Sequence, residues 1–200
     1  MHEIQEDLTS STIRHQIRDA AADRFKIYGY TKTTMAEIAE DTGMSAANLY
    51  RYFANKQDIA ADCTRKYIND RSTLLMEAVT RPGLDAAGKL KTYFLTTLHY
   101  SYRMAHEHKK IYQLVETIKD ERLDIVHFKI DSEKAIIAEI LQSGMDTGEF
   151  RIAHLETAVT SIHAAHFLFD VPVFMGIYPL EKFEDIAESL VELLLNGLRG

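Results

Sequence analysis

Apolar residues recur at intervals of three and four along nearly the whole chain, and no stretch alternates convincingly in the two-residue rhythm of a half-buried strand. The pattern predicts an all-α protein. A first amphipathic run puts Ile13, Ile17, Ala21, Phe25 and Tyr28 on one face, with Ser10 or Ser11 as its N-cap and Gly29 as its stop. Thr34 with Glu37 three residues on makes a capping box, which opens a short helix through Ile38 and Ala39 to Gly43. Ser45 caps a third helix from Ala46 to about Phe53, and Asn55 caps a long fourth that carries Ala60, Cys63, Tyr67, Leu74 and Ala78. Arg81-Pro82-Gly83 stops it. Further helices are expected over about Asp85 to Ala105, Lys109 to Ile118 and Asp120 to Ser143, then a turn marked by Gly144 and Gly148. Two strongly apolar helices, LETAVTSIHAAHFLFD and FEDIAESLVELLLNGL, complete the chain, for about nine helices in all.

The second and third helices are short and separated by only a few residues around Gly43, so they must cross steeply. Ala39 is small enough for close approach, and Gly43 can take the positive φ that such a turn needs. Met44, Leu49 and Phe53 can pin the third helix inward. That leaves Ala46, Ala47, Asn48, Tyr50, Arg51 and Tyr52 on its outer side.

Charge sharpens this picture. The chain has 23 Lys and Arg against 30 Asp and Glu, a net charge of -7, yet from Thr42 to Gln57 it carries Arg51 and Lys56 and no carboxylate. Tyrosine and threonine hydroxyls, arginine, lysine and helix N-terminal amides all bind phosphate oxygens, and that attraction depends on the groups near the phosphates. An acidic protein with such a face can therefore hold duplex DNA. Asn48 can pair with adenine and Ala46 or Ala47 can touch a thymine methyl, with DNA shape supplying further selectivity; Arg14 and Arg18 either add to it or are solvated helix charges.

The segment GYTKTTMAEIAEDTGMSAANLYRYFANKQDI resembles the N-terminal signature of TetR-type (TetR/AcrR) transcriptional regulators. A glycine, a Thr-Thr pair, an Ile-Ala step, a glycine turn, a Leu-Tyr pair, an aromatic-Phe pair and a lysine follow in the family's order. The match covers roughly residues 13 to 60, and beyond it only helix pattern and length agree. Tyr52 departs from the histidine of many members, but its hydroxyl can still reach a phosphate. The resemblance implies a three-helix helix-turn-helix DNA-binding domain, residues 1–54, followed by a larger helical effector-binding and dimerisation domain, residues 55–200. It implies that Thr34, Tyr50, Tyr52 and Lys56 hold phosphates and that Ala46, Ala47 and Asn48 lie toward base edges. Ser45 and Arg51 complete the expected DNA-contact set.

In the larger region, the helix carrying Tyr93, Phe94, Tyr100 and Tyr102 also holds Thr96, Thr97 and His99. Apolar walls with a few hydroxyls or imidazoles suit a small-molecule cavity, while aromatics at helical spacing also build ordinary core. With the resemblance, Tyr93, Thr97, Tyr100, Tyr112, Phe128, His163 and Phe167 are the candidate effector-lining residues. The last two helices are apolar on more than one face. Leu155, Ile162, Phe169, Phe183, Ile186, Leu190 and Leu194 are accordingly the candidate dimer interface, pairing with their symmetry mates. Two reading heads related by a two-fold axis would recognise a palindromic site.

Other classes fare worse. His99, His163 and His166 could ligate zinc, but without a further carboxylate or cysteine nearby they are read as core or pocket groups, and no metal site is expected. There is no Gly-rich phosphate loop, HExxH or GxSxG, so neither catalytic residues nor a cofactor is expected. Cys63 is the single cysteine and reads as a small buried group. No apolar run is long enough for a bilayer, and MHEIQEDLTSST lacks the basic start and apolar core of a signal peptide, so a cytoplasmic location is expected. The leading expectation is a homodimeric repressor that binds a palindromic operator in double-stranded DNA and is released by a small-molecule effector. The alternatives are a ligand-independent activator or architectural DNA binder, and a metal-sensing regulator.

Overall fold

The structure is a computed structural model that describes residues 2–199, and the side chains of residues 2–9, Tyr112, Lys119 and Asp120 lie outside the described set. Ten α-helices and no strand occur among the described residues. They are α1 (His2–Tyr28), α2 (Met35–Asp41), α3 (Ala46–Leu49), α4 (Lys56–Val79), α5 (Ala86–Glu107), α6 (Lys109–Glu121), α7 (Leu123–Asp146), α8 (Leu155–Ala165), α9 (Phe167–Asp170) and α10 (Leu180–Arg199). A 3-10 turn over Pro172–Gly176 joins α9 to α10. No described helix is long and apolar enough to cross a membrane.

The chain forms two compact units, Met1–Ile68 with His108–Val126, and Asn69–Glu107 with His127–Gly200. Helices α4 and α7 each contribute residues to both. In the first unit Ile17, Ala21, Phe25, Ile38, Ala39, Leu49 and Phe53 are buried together with Leu114 and Ile118 of α6, which packs on α1. The core of the second unit is larger and centres on Leu90, Tyr93, Phe94 and Leu98 of α5, Ile137 and Leu141 of α7, and Phe183, Ala187 and Val191 of α10.

Several boundaries differ from the sequence expectation. Helix α1 starts at His2, so Ser10 and Ser11 lie within it and do not cap it. Helix α3 is a single turn; its path continues as turns in which Tyr52 and Phe53 both donate to the Leu49 carbonyl. Gly144 lies inside α7 and marks no turn. A Cβ there would sit 2.2 Å from the Phe150 ring, so the glycine is required by close packing. The run expected as one helix from Leu155 breaks at His166, whose Nδ1 donates to the His163 carbonyl at 2.7 Å and takes the acceptor that the Phe167 amide would use in a continuous helix.

Candidate DNA-reading surface and buried charge cluster

The helix-turn-helix is built by local capping. Thr34 caps α2 with its hydroxyl accepting from the Glu37 amide at 3.3 Å, while the Glu37 carboxylate accepts from the Thr34 amide at 2.8 Å. Hydrogen bonds from the Thr34 side chain and amide pull the Glu37 carboxyl below its ordinary range. Arg24 of α1 then clamps α2 from outside, donating to Asp41 at 2.6 and 2.9 Å and pairing with Glu37 at 3.1 Å. At the turn Gly43 takes φ 68°, and the Met44 amide closes on the Ala39 carbonyl at 2.8 Å. Ser45 caps α3 by accepting from the Asn48 amide at 3.2 Å.

Leu49 and Phe53 anchor α3 inward, and its other face points to solvent. Ser45, Ala46, Ala47, Tyr50 and Arg51 are exposed, and Asn48 and Tyr52 are half-buried. Thr34 is exposed at the start of α2. Lys56 behaves differently from a solvated cation. Its Nζ donates to the Tyr30 carbonyl at 2.8 Å and the Thr33 carbonyl at 2.7 Å, 4.4 Å from the centre of the Tyr30 ring, and burial lowers its pKa. It therefore ties the start of α4 to the chain between α1 and α2. Arg14 donates to the Tyr52 carbonyl and lies 4.1 Å over the Phe53 ring, and Arg18 pairs with Asp19 at 2.9 Å.

In the same unit, the start of α4 is tied to the α6–α7 junction by charge. Arg122 bonds Asp58 at 3.1 Å and Asp124 at 2.8 and 3.0 Å, and Arg65 reaches Asp124 at 2.5 Å. The Arg122 hydrogen bond holds the Asp124 carboxyl down at about 2.

The second unit contains a buried charge cluster that the sequence reading did not identify. Arg71 of α4 is 5% exposed and is held by Glu133 of α7 and Asp170 of α9. Lys129, one turn before Glu133, pairs with Glu133 at 2.7 Å and also with Asp170. His163 Nε2 meets the other Glu133 oxygen at 3.0 Å. Burial alone would raise both carboxyls. For Glu133 the His163 hydrogen bond with the Arg71 and Lys129 charges outweighs it, and for Asp170 the two cations do, so both stay ionised below their ordinary range. Burial lowers His166 despite the nearby carboxylates, so its ring is neutral. A carbonyl only accepts, so His166 Nδ1 carries the proton and Nε2 accepts from the Tyr93 hydroxyl at 3.3 Å. Two basic side chains, Arg71 and Lys129, thus face two carboxylates.

Of the candidate effector residues, Tyr93 and His163 lie in this cluster, and the half-buried Tyr100 ring lies 5.6 Å from the Arg71 guanidinium carbon. Thr97 is fully buried on the same face of α5, and Phe128 is half-buried on α7. The Tyr112 side chain lies outside the described residues. Phe167 is 53% exposed, edge-on to Phe174, and faces away from the core. His99 bonds Glu184 at 2.6 Å at the surface, whereas His163 bonds Glu133 and His166 bonds Tyr93. Donor atoms of Glu133, His166 and Asp170 lie within 4.8 Å of one another, but both carboxylates already carry Arg71 and Lys129.

Among the candidate interface residues, Ile162, Phe169 and Phe183 are buried in the unit's own core, where Phe169 packs edge-on against Phe94 and Phe183. Leu155, Ile186, Leu190 and Leu194 are half-buried, and Leu193 is 70% exposed. Ala165, Leu168, Ile186, Leu190 and Leu193 line a shallow, largely apolar groove between α8–α9 and α10, with Lys182, Asp185 and Ser189 also on its wall.

Residues 17–63 match the family described as bacterial regulatory proteins, tetR family, and residues 86–191 match the tetracyclin repressor-like C-terminal domain. The chain belongs to the TetR family. Over 140 residues this TetR-family protein is 26% identical to the HTH-type transcriptional repressor KstR2 of Rhodococcus jostii, covering 69% of this chain and 68% of that one. Over 193 residues it is 23% identical to the fatty acid metabolism regulator protein of Bacillus subtilis, covering 92% and 95%. The solved fatty acid degradation regulator FadR from Bacillus halodurans shares its fold, with a TM-score of 0.65 at 21% identity over 93% of this chain and 96% of that one. The TetR family is one of transcription regulators, the Rhodococcus relative is named as a transcriptional repressor, and α2 and α3 are the helix-turn-helix.

Proposed function

We propose that this TetR-family protein is a homodimeric repressor that binds a palindromic operator and is released by a small-molecule effector. One observation carries the reading: the turn at Gly43 presents an exposed, carboxylate-free face running from Ser45 to Arg51. On it Ala46, Ala47 and Asn48 meet base edges, while Ser45, Tyr50, Arg51 and Tyr52, with Thr34 from α2, engage phosphates. Lys56 holds this reading head in shape and places its charge beside the duplex. Residues 1–54 form the reading part and residues 55–200 the effector and dimer part of a cytoplasmic protein. The groove at Ile186, Leu190 and Leu193, together with Leu155 and Leu194, is the dimer face.

The effector site is the region of Tyr93, Thr97, Tyr100 and His163 around Arg71, with Phe128 at its side. Arg71 and Lys56 stand on one uninterrupted helix, so a shift at the first is felt at the second. An effector that prefers the DNA-incompetent arrangement by about 1–3 kcal/mol weakens operator binding some 5–150-fold. Repression is favoured over activation by the relative named as a repressor.

Capture of genomic fragments with the purified protein tests this reading. Enrichment of a short inverted repeat, lost with Tyr50→Ala, is expected, and no enrichment over bulk DNA would refute it. The Bacillus subtilis relative's name makes genes of fatty acid metabolism the first to inspect among the fragments.

A further inference from the structure

Three hydroxyls stand one turn apart on the buried face of α5, at Tyr93, Thr97 and Ser101. Tyr93 bonds His166, and Ser101 donates to the Asp170 backbone carbonyl at 2.9 Å. Thr97 Oγ1, between them and fully buried, has no hydrogen-bond partner. A buried hydroxyl left unmatched is costly, so Thr97 gains from donating to any acceptor brought beside it. Beside this row the carboxylate of Asp170 sits between Arg71 and Lys129.

Asp170 is the cluster member on the shortest element. Helix α9 has four residues, follows the break at His166, and ends at Val171 in extended backbone before the 3-10 turn. Arg71, Lys129 and Glu133 stand on helices of 24 residues each. Asp170 can be withdrawn with that four-residue segment alone, against the Ser101 bond to its carbonyl and the burial of Phe169 beside it. The balance of charge sets what can replace it. With Arg71 and Lys129 against Glu133 and Asp170, a single carboxylate can enter as Asp170 leaves for solvent, and the net charge of the cluster is unchanged.

We propose that the effector is a monocarboxylate whose head takes the place of Asp170 between Arg71 and Lys129 and accepts a hydrogen bond from Thr97. The exchange releases α9 from α4 and α7, and through Arg71 it changes what holds the long fourth helix. This rests on the reading of the protein as an effector-released repressor and names the chemistry of its effector site.

The test uses the full chain with Asp170→Ala, which vacates the anion position. Thermal unfolding is followed with sodium propionate, with propionamide as its neutral isostere and with ethylammonium chloride as the cation, all at matched ionic strength. Propionate is expected to stabilise the variant with half-saturation about tenfold or more below that of propionamide, as charge-assisted hydrogen bonds outweigh neutral ones. Equal effects of propionate and propionamide, or preferential stabilisation by ethylammonium, would overturn the proposal. If the variant does not fold alone, its recovery from urea in propionate against propionamide reads the same preference, and Asp170→Asn, which keeps the side chain's shape, must show the same order. Operator binding is measured in the same samples. A variant that holds operator DNA but ignores propionate removes the carboxylate site and leaves the repressor, whereas propionate binding by a protein without any operator keeps the site and removes the repressor.

Discussion

Lys56→Met separates the two jobs open to this lysine. The substitution keeps most of the aliphatic stem and deletes the ammonium that donates to the Tyr30 and Thr33 carbonyls at 2.8 and 2.7 Å. A hydrogen bond to a charged group contributes about 1.5–3 kcal/mol, and because the site is only part-buried, water can reach the freed carbonyls; the net loss is then about 2–3 kcal/mol for the pair. With a urea dependence of about 2 kcal/mol per molar, that moves the unfolding midpoint down by roughly 1 M. A lysine acting only on phosphate would instead leave the midpoint in place and flatten the log–log salt dependence of operator binding by about 0.9. The expected result is a large midpoint shift with a slope change well under that value. Arg51→Met, at an exposed position, is the contrast and should change the slope with little effect on unfolding. An unmoved midpoint for Lys56→Met with the full slope change would refute the clamp.

Gly43→Ala should cost about 1–2 kcal/mol in urea unfolding, since a Cβ there meets nothing within 4 Å and only the left-handed φ of 68° opposes it; wild-type stability would contradict the turn geometry. Leu190→Asp with Leu193→Asp should give monomers by light scattering without loss of helix content, and a persisting dimer would move the interface elsewhere. Stability should fall with acid in two stages. The native pKa of His166 lies below its unfolded value, so its contribution is complete above about pH 6.5 and declines as pH falls from there. Glu133 and Asp170 are likewise depressed, so theirs is complete above about pH 4 and is lost below it. Urea titrations from pH 8 to pH 3 check both stages, and stability that rises between pH 7 and pH 5 would be inconsistent with a neutral buried His166.

The reading head was legible because its signals are local. The capping box at Thr34 and Glu37, the Ser45 cap and the positive φ of Gly43 each depend on residues within a few positions, and all three are present. What lay beyond the sequence was which neighbour covers an apolar face. Periodicity marks Phe169 and Phe183 as apolar but does not distinguish a partner's surface from their own core, where Phe94 receives Phe169. The charge cluster was missed for the opposite reason. Lys129 and Glu133 are spaced like any solvated helix pair, and Asp170 ends an apolar run. One clue was present: Arg71 falls one turn from both Tyr67 and Leu75, a permanent charge in the middle of an otherwise apolar stripe.

Cys63 has a practical consequence. The residue is 8% exposed, its thiol donates to the Arg18 carbonyl at 3.4 Å, and burial pushes the thiol up to about 12. Thiolate is the form that attacks maleimides and methanethiosulfonates, so at neutral pH the native thiol is expected to react far more slowly than an exposed one. A fluorophore or spin label placed at an introduced cysteine, such as Tyr50→Cys or Leu193→Cys, would report chiefly from that position, with no cysteine-free background to prepare first.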